Sequence, residues 1–250
     1  TEAGLHHVLA LGLALAAVPT AAALFMTTAP YGRHLRPGWG PAIDARLGWV
    51  VMESPAVVMF LAIYAAGENA WEPAPLVLLA LWQFHYVERT FVFPLRLRPA
   101  ARLPVAIVAM AFGFNTLNAY LNARWISHLG DYAPGWLGSS AFVAGGLLFV
   151  TGWLINRRAD RALQRLRADG GTGYRVPRGG LFERVSCPNY LGEIIEWCGW
   201  AIASWSLAGF AFALFTAANL VPRAVAHHRW YRREFPDYPA GRRALIPWLL

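Results

Sequence analysis

The stretch WAIASWSLAGFAFALFTAANLVP, residues 200 to 222, leads within four residues into AHHRWYRREFPDYPAGRRALIP, residues 226 to 247. The first half is apolar and longer than the roughly 20 residues that a helix needs to cross a bilayer. The second half packs Arg229, Arg232, Arg233, Arg242 and Arg243 among Trp230, Tyr231 and Tyr238. A greasy segment ending in such a cationic, aromatic patch reads as a membrane helix leaving the lipid on a definite side.

The whole chain agrees with that reading. Of its 250 residues, 57% are hydrophobic and only 14% charged, where soluble domains carry about 25% charged residues. All 22 basic residues are arginine. Base composition of the coding DNA is one explanation; the fit of the guanidinium fork to phosphate is another, and the two are compatible. The two cysteines, Cys187 and Cys198, form no CxxC pair, so neither a zinc site nor a disulfide framework is signalled. Cys198 sits in an apolar run and is expected in the core.

Seven stretches are long enough to span: about 5–26, 47–66, 75–94, 103–121 and 139–155, and a pair sharing about 190–225 with a turn in SWSLAG, residues 204–209. The first lacks a basic leader and its apolar part is long for a signal peptide, so it is expected to be retained. The loops between these stretches divide the charge. Twenty of the 22 arginines fall on one side, while the opposite loops hold Glu68, Glu72, Asp131 and only Arg124. The positive-inside rule then gives seven spans, N-terminus outside and C-terminus cytoplasmic. The expectation is an all-α, polytopic integral membrane protein forming one domain over residues 1–250.

Ionisable groups inside spans are costly and mark candidate sites. The second span carries Glu53 in VVMESPAVV; the third carries His85, Tyr86, Glu88 and Arg89; the sixth opens with Asn189, Glu193 and Glu196. At 1.5 Å per residue, Glu53 lies about 10 Å and Tyr86 about 15 Å from the cytoplasmic edge. They are deep enough to meet between helices. A phenol and a protonated carboxyl can together grip a carbonyl oxygen; a structural pair, or a Glu53–Arg89 ion pair, remains an alternative. Glu88 and Arg89 are adjacent and point in different directions, so each requires its own partner. His85 reads as a satisfied core histidine.

Residues 156–184 form the richest cationic loop. No helix breaker occurs before Gly170, so the fifth span should continue into it, with Asn156 and Asp160 on one face and Arg167 returning near it. GGTGYRVPRGGLF must then be a loop. Arg157, Arg167, Arg175, Arg223 and Arg242 stand on the same side as Tyr174, Trp230 and Tyr231. Arginines interleaved with aromatics suit a phosphorylated, ring-bearing ligand; attraction to anionic lipid headgroups is the plainer alternative. Nucleic acid is not expected on a surface facing a membrane. GGTG follows no strand, so a dinucleotide fold of the Rossmann type is not supported. HHRW lacks the spacing of a metal site, and no metal is expected.

Taken together, FHYVERTFVFPL (84–95), YRVPRGGLFERVS (174–186), NYLGEIIEWCGWAIASWSLAGFAFA (189–213) and AHHRWYRREFPDYPAGRRALIPWLL (226–250) resemble the steroid 5α-reductase family, the 3-oxo-5α-steroid 4-dehydrogenases. The likeness is dense over about 150–250, localised at 49–98 and weak over the first forty residues. It implies a bacterial-type member acting in steroid or lipid metabolism: seven transmembrane helices, NADPH as cofactor, and hydride transfer to C5 of a 3-oxo-4-ene steroid followed by protonation at C4. Matching positions imply Glu53 and Tyr86 at the 3-oxo group. They imply Asn156, Asp160, Arg167, Tyr174, Arg175, Asn189, Glu193, Arg223, His227, Tyr231 and Arg242 around the cofactor. The family usually carries Gln-Glu where this chain has Met52-Glu53, which removes an amide donor. On this reading helices one to four, about 5–121, enclose a steroid-like lipid entering from the bilayer, and helices five to seven with their loops, about 139–250, hold the cofactor. The expected location is a bacterial cytoplasmic membrane. PNYLGE alone also occurs in sterol reductases and isoprenylcysteine methyltransferases, so another NADPH-dependent sterol reductase and an S-adenosylmethionine-dependent membrane methyltransferase are the alternatives.

Overall fold

The computed structural model describes residues 1–97, 101–168 and 173–250, except for the side chains of Arg167 and Ala168. Seven long helices dominate: α1 (Glu2–Met26), α2 (Ala45–Ala65), α3 (Pro73–Val87), α4 (Val105–Arg124), α5 (Ser140–Ala168), α6 (Pro188–Ser204) and α7 (Leu207–Glu234). Single π turns lengthen α3 through Val92 and α4 through Leu129. Among the described residues β1 (Ala42–Asp44) pairs antiparallel with β2 (Arg102–Pro104) in a small clasp that ties together the chain just before α2 and just before α4.

Five of these helices, α1, α2, α4, α5 and α7, are long and apolar enough to cross a membrane. The other two are shorter, with 15 residues in α3 and 17 in α6. Both fall short of a full span by length. Prolines interrupt α1, α2 and α7 at Pro19, Pro55 and Pro222. In lipid, a backbone group freed by proline must find a partner within the protein. At Pro55 the Ser54 hydroxyl supplies it, donating to the Val51 carbonyl at 2.9 Å.

The turn between the last two helices sits where SWSLAG predicts. Trp205 takes a left-handed conformation (φ 45°), and Ser206 caps α7 by accepting from the Gly209 amide at 2.8 Å. Two expectations need correction. α7 does not end near Val225 but continues through Glu234, because nothing after Pro222 breaks the helix before Pro236. The start of the cationic tail is therefore helical, which puts His227 and Tyr231 on one face. Cys198 is exposed rather than in the core; α6 buries Trp197, Gly199 and Trp200 and turns Cys198 outward.

Helices α5 and α6 make the closest contact in the fold. Gly145 and Gly152 of α5 lie against the backbone around Gly199 and Gly192 of α6, and a Cβ at any of the four would overlap main-chain atoms. Small residues that let backbones approach are the usual basis of helix association in lipid, where apolar burial supplies no drive. This contact fixes the backbone of Glu196 and Asn156. The centre of the bundle is aromatic. Trp82 stacks on Phe60 at 4.5 Å and meets Trp197 and Trp200 at 5.5 and 5.1 Å. Their ring N–H groups are satisfied by Ala56 O for Trp82 and Asn122 Oδ1 for Trp200, each at 2.8 Å.

Gly192→Val is expected to destabilise the protein by about 1–3 kcal/mol or more through overpacking, whereas Gly146→Ala, with open space around the added carbon, should change the melting temperature little. Tryptophan-fluorescence melting in detergent compares the two.

Candidate active site

Two cavities meet inside the bundle. The inner one, about 480 Å³, is lined mostly by apolar residues, among them Leu24, Met52, Leu103, Ile107, Met110, Phe114, Trp197, Phe212 and Phe215, with Glu53, His85, Tyr86 and Asn115 among its polar groups. The second, about 470 Å³, opens toward the arginine-rich side and is lined by Arg33, Arg102, Asn156, Asp160, Tyr174, Asn189, Tyr190, His227 and Tyr231, among others. Tyr31, Trp49, Arg89, Glu193, Leu220 and Arg223 line both. They form the wall or passage between the two.

Glu53 and Tyr86 thus share one cavity, on α2 and α3. Glu53 is held by Asn115 of α4, whose Nδ2 donates to Glu53 Oε2 at 3.2 Å and to the Met52 carbonyl at 2.7 Å. Asn115 was not picked out in the sequence, although an asparagine in an apolar span is itself a signal. Met52 is buried and packs in the cluster around Leu103 and Val108, so its side chain is a packing element.

Arg89 does not pair with Glu53. Its nearest carboxylate is Glu193 of α6 at 4.0 Å, and its guanidinium lies over the rings of Trp49 and Phe93 at 4.7 and 4.5 Å. Glu88 turns the other way and pairs with Arg157 of α5 and with Arg96. The adjacent charges therefore do find separate partners. His85 is paired as well: its Nδ1 lies 2.7 Å from Glu196 Oε1, and both residues are buried.

Eight of the eleven residues expected at a cofactor line the second cavity: Asn156, Asp160, Tyr174, Asn189, Glu193, Arg223, His227 and Tyr231. Two hydrogen-bonded sets hold several of them in place. Asn156 Nδ2 donates to the Asn189 carbonyl at 3.0 Å, and Asn189 Nδ2 to Asp160 at 3.3 Å. Arg223 Nε donates to the Tyr190 hydroxyl, which also meets His227 Nε2, both at 3.1 Å. Three residues remain. Arg175 is exposed and off the cavity lining, and Arg167 lies outside the described side chains. Arg242 is buried beneath the tail, bonded to Glu183 at 3.4 Å and packed on Tyr238. Its place is explained by the tail folding back: Ser186 and Cys187 amides bond to the Arg243 and Ala244 carbonyls.

Arg33 was read only as one more loop arginine, yet it is central. Its guanidinium lies over Tyr174, Trp230 and Tyr231 at 5.0, 4.5 and 4.7 Å and donates to the Tyr231 hydroxyl at 3.2 Å. Its Nη1 is buried without a protein partner. An orphaned guanidinium donor in a cavity lined by Arg102, Arg223, Asp160 and several tyrosines fits a dinucleotide: oxyanions on arginine, hydroxyls on the carboxylate, rings on tyrosine. Among the described residues no group of His, Cys, Asp and Glu would hold a metal ion.

Beside this network His34 Nε2 meets His227 Nδ1 at 2.9 Å, with the rings stacked 4.9 Å apart. Burial, together with Arg223, Arg33, Arg36 and Arg233, pulls His34 down to about 4. A base depressed in the fold binds fewer protons than in the unfolded chain, where histidine titrates near 6.5. The stability it contributes is present above about pH 6.5 and is lost as the pH falls toward 4. Melting temperature in detergent should therefore drop across that window in the parent protein, and less steeply in His34→Gln.

The family model described as 3-oxo-5-alpha-steroid 4-dehydrogenase matches residues 101–250. A steroid 5-alpha-reductase DET2 of Gossypium hirsutum is 47% identical over 251 aligned positions, covering 98% of this chain and 97% of the relative. The DET2 protein of Arabidopsis thaliana is also 47% identical, over 96% of this chain and 94% of the relative. The 3-oxo-5-alpha-steroid 4-dehydrogenase 1 of Homo sapiens is 45% identical, over 89% and 87%. These relatives are plant and mammalian, so the bacterial setting expected from the sequence finds no support among them.

Proposed function

This chain belongs to the 3-oxo-5-alpha-steroid 4-dehydrogenase family and is an oxidoreductase, and from that premise we propose that it reduces the 4,5 double bond of a 3-oxo-4-ene steroid, or a similar lipid enone, with NADPH. An oxidoreductase of steroid metabolism leaves the methyltransferase alternative without support. The observation that carries the proposal is the pairing of cavities. An apolar chamber containing Glu53 and Tyr86 adjoins a polar chamber containing Arg33, Asp160 and Arg223, and the two share Arg89 and Glu193.

The apolar chamber suits a sterol-sized body, and α1 contributes Thr20 and Leu24 to it beside the lipid. In the proposed arrangement the substrate's 3-oxo oxygen lies between the Tyr86 hydroxyl and the Glu53 carboxyl. Tyr86 donates to that oxygen, and Glu53, held by Asn115, donates in its protonated form. Two donors aimed at the oxygen stabilise the enolate charge that develops when hydride reaches C5, the kind of preorganised contribution that dominates such reactions. Bound NADPH would supply the hydride. Arg33 and Arg223 would hold its phosphates, Asp160 and Asn189 its hydroxyls, and Glu193 the end nearest the chamber; Asn156, Tyr174, His227 and Tyr231 complete the proposed contacts. Arg167, Arg175 and Arg242 remain assigned to the cofactor by the resemblance alone. In the proposed seven-span topology, with the N-terminus outside and the C-terminus cytoplasmic, this cavity lies on the cytoplasmic side and the substrate enters from the bilayer. Helices α1–α4 form most of the substrate half, with α6 and α7 adding Trp197, Phe212 and Phe215 to the inner lining, and α5–α7 form most of the cofactor half, joined by Arg33 and Arg102.

Tyr86→Phe should lower turnover of a 3-oxo-4-ene steroid by about 10²–10³-fold, the cost of losing one such donor, while NADPH affinity stays within about twofold. NADPH absorbance loss and fluorescence titration read the two quantities; an unchanged rate refutes the role. Arg33→Ala should weaken NADPH binding by about tenfold or more, as expected when a charged hydrogen bond worth about 1.5–3 kcal/mol is lost.

A further inference from the structure

The reduction leaves one proton unassigned: the one added to the carbon next to the carbonyl after hydride arrives. Glu53 and Tyr86 are engaged with the oxygen. The inner cavity holds another proton-bearing group that the proposed mechanism does not use.

His85 lines the cavity beside Tyr86. Its Nδ1 is taken by Glu196 Oε1 at 2.7 Å, so Nε2 is the ring nitrogen left for a ligand. Glu196 is completely buried, and its Oε2 has no hydrogen-bond partner. The glycine seam with α5 fixes its backbone, and Trp197 packs edge-on against the histidine ring at 4.6 Å. Nothing about this pair is needed to satisfy an exposed charge; it is an ionisable couple built into lipid depth, where such groups are functional by default.

The groups facing His85 and its cavity are Glu193 and Glu196 from α6, Arg89 and Tyr86 from its own helix, Glu53 from α2 and Arg223 from α7. With Glu53 in its protonated form, two carboxylates stand against two guanidiniums, and a proton added to the couple is shared between His85 and the Glu196 carboxylate it faces. The state of Nε2 does not depend on where in the couple that proton rests. With an imidazolium facing a carboxylate, Nε2 carries a hydrogen. With a neutral imidazole facing a carboxylic acid, the acid donates to Nδ1 and Nε2 again carries the hydrogen. Only after the couple loses its extra proton does Nδ1 keep the hydrogen and Nε2 become an acceptor.

We propose that the His85–Glu196 couple is the proton store of the inner cavity and delivers its Nε2 proton to the α-carbon of the substrate enolate. The step rests on the enone-reductase reading and balances as follows. Bound NADPH would supply the hydride, and with it two electrons, to C5, so that the C4=C5 π pair moves into the enolate held by Tyr86 and Glu53. The His85 Nε2–H bond breaks, and its electrons remain on nitrogen. A C4–H bond forms from the enolate π pair, and the carbonyl is restored. The couple is left one proton short and is reloaded from solvent before the next turnover. Two acid functions are thereby separated: hydrogen bonding at oxygen on α2 and α3, and proton donation at carbon on α3 and α6.

Two measurements test this. The first uses ligand-free protein in lipid nanodiscs, so it does not depend on turnover. Infrared difference spectra between about pH 6 and about pH 9, the range in which histidine couples change charge, should show a carboxyl or imidazole signal that disappears in Glu196→Gln. Identical spectra in parent and variant would overturn the proton store. The second is the rate. Loss of a positioned acid costs about 10²–10⁴-fold, so His85→Gln and Glu196→Gln should lower kcat by about 10²-fold or more with KM within about threefold. They should also remove the fall in kcat that the parent enzyme shows as pH rises. A variant that retains the parental rate and alkaline limb refutes the donor role. A parent protein that oxidises no NADPH with any 3-oxo-4-ene steroid refutes the reductase reading instead, and the infrared arm still decides whether the couple holds a proton.

Discussion

Arg89 is the charge around which the interior is arranged. A guanidinium inside a helical bundle needs partners at its own depth. Here these are the Glu193 carboxylate on α6 and the faces of Trp49 and Phe93. Because Arg89 and Glu193 line both cavities, the same pair that makes the arginine bearable also separates an apolar chamber from a polar one. Neighbouring Glu88 faces away and locks onto Arg157 of α5. Two successive residues on α3 thereby fasten that helix to both halves of the α5–α6 hairpin.

That hairpin is rigid for a different reason. Where α5 and α6 touch, there is no side chain to compress, only backbone against backbone at Gly145, Gly152, Gly192 and Gly199. Polar groups carried on this seam, Asn156 and Asn189 toward one cavity and Glu196 against His85, are held by main chain and by short bonds. A site mounted on helices with close backbone contact keeps its geometry better than one mounted on loops. The pieces that do come from loops, Arg33 and Tyr31, are pinned by stacking on Trp230 and by Arg223 lying over the Tyr31 ring at 3.6 Å.

Much of this was legible in the residues. The lipid-exposed helices announce themselves by length and apolarity, and the buried carboxyl and phenol stand out because everything around them is greasy. Glu88 and Arg89 had to diverge, and they do. Hidden features had physical reasons to be hidden. Asn115 is uncharged, so it drew no notice, although its two hydrogen bonds orient Glu53. Arg33 is separated from Trp230 by nearly the whole chain, and no local pattern reports a stack between them. Arg242 looked like one more member of a cationic patch, but the tail folds back and buries it against Tyr238 and Glu183. The end of α7 was misplaced because charge was taken as the edge of the helix, while the backbone follows breakers, and none occurs before Pro236.

The small clasp of β1 and β2 acts as a common origin for two rulers. Asp44 pairs with Arg102, and Ala42 with Pro104, so the entries of α2 and α4 are tied to each other. Glu53 then stands nine residues along one and Asn115 eleven along the other, about 13 Å and about 16 Å from the start at the helical rise. Their hydrogen bond exists because the two counts agree in depth and in azimuth. Lengthening or shortening either stretch by a single residue swings the side chain through about 100° and parts them, even though every amino acid of the cavity would still be present. Evolution can exchange residues along these stretches far more freely than it can change their number.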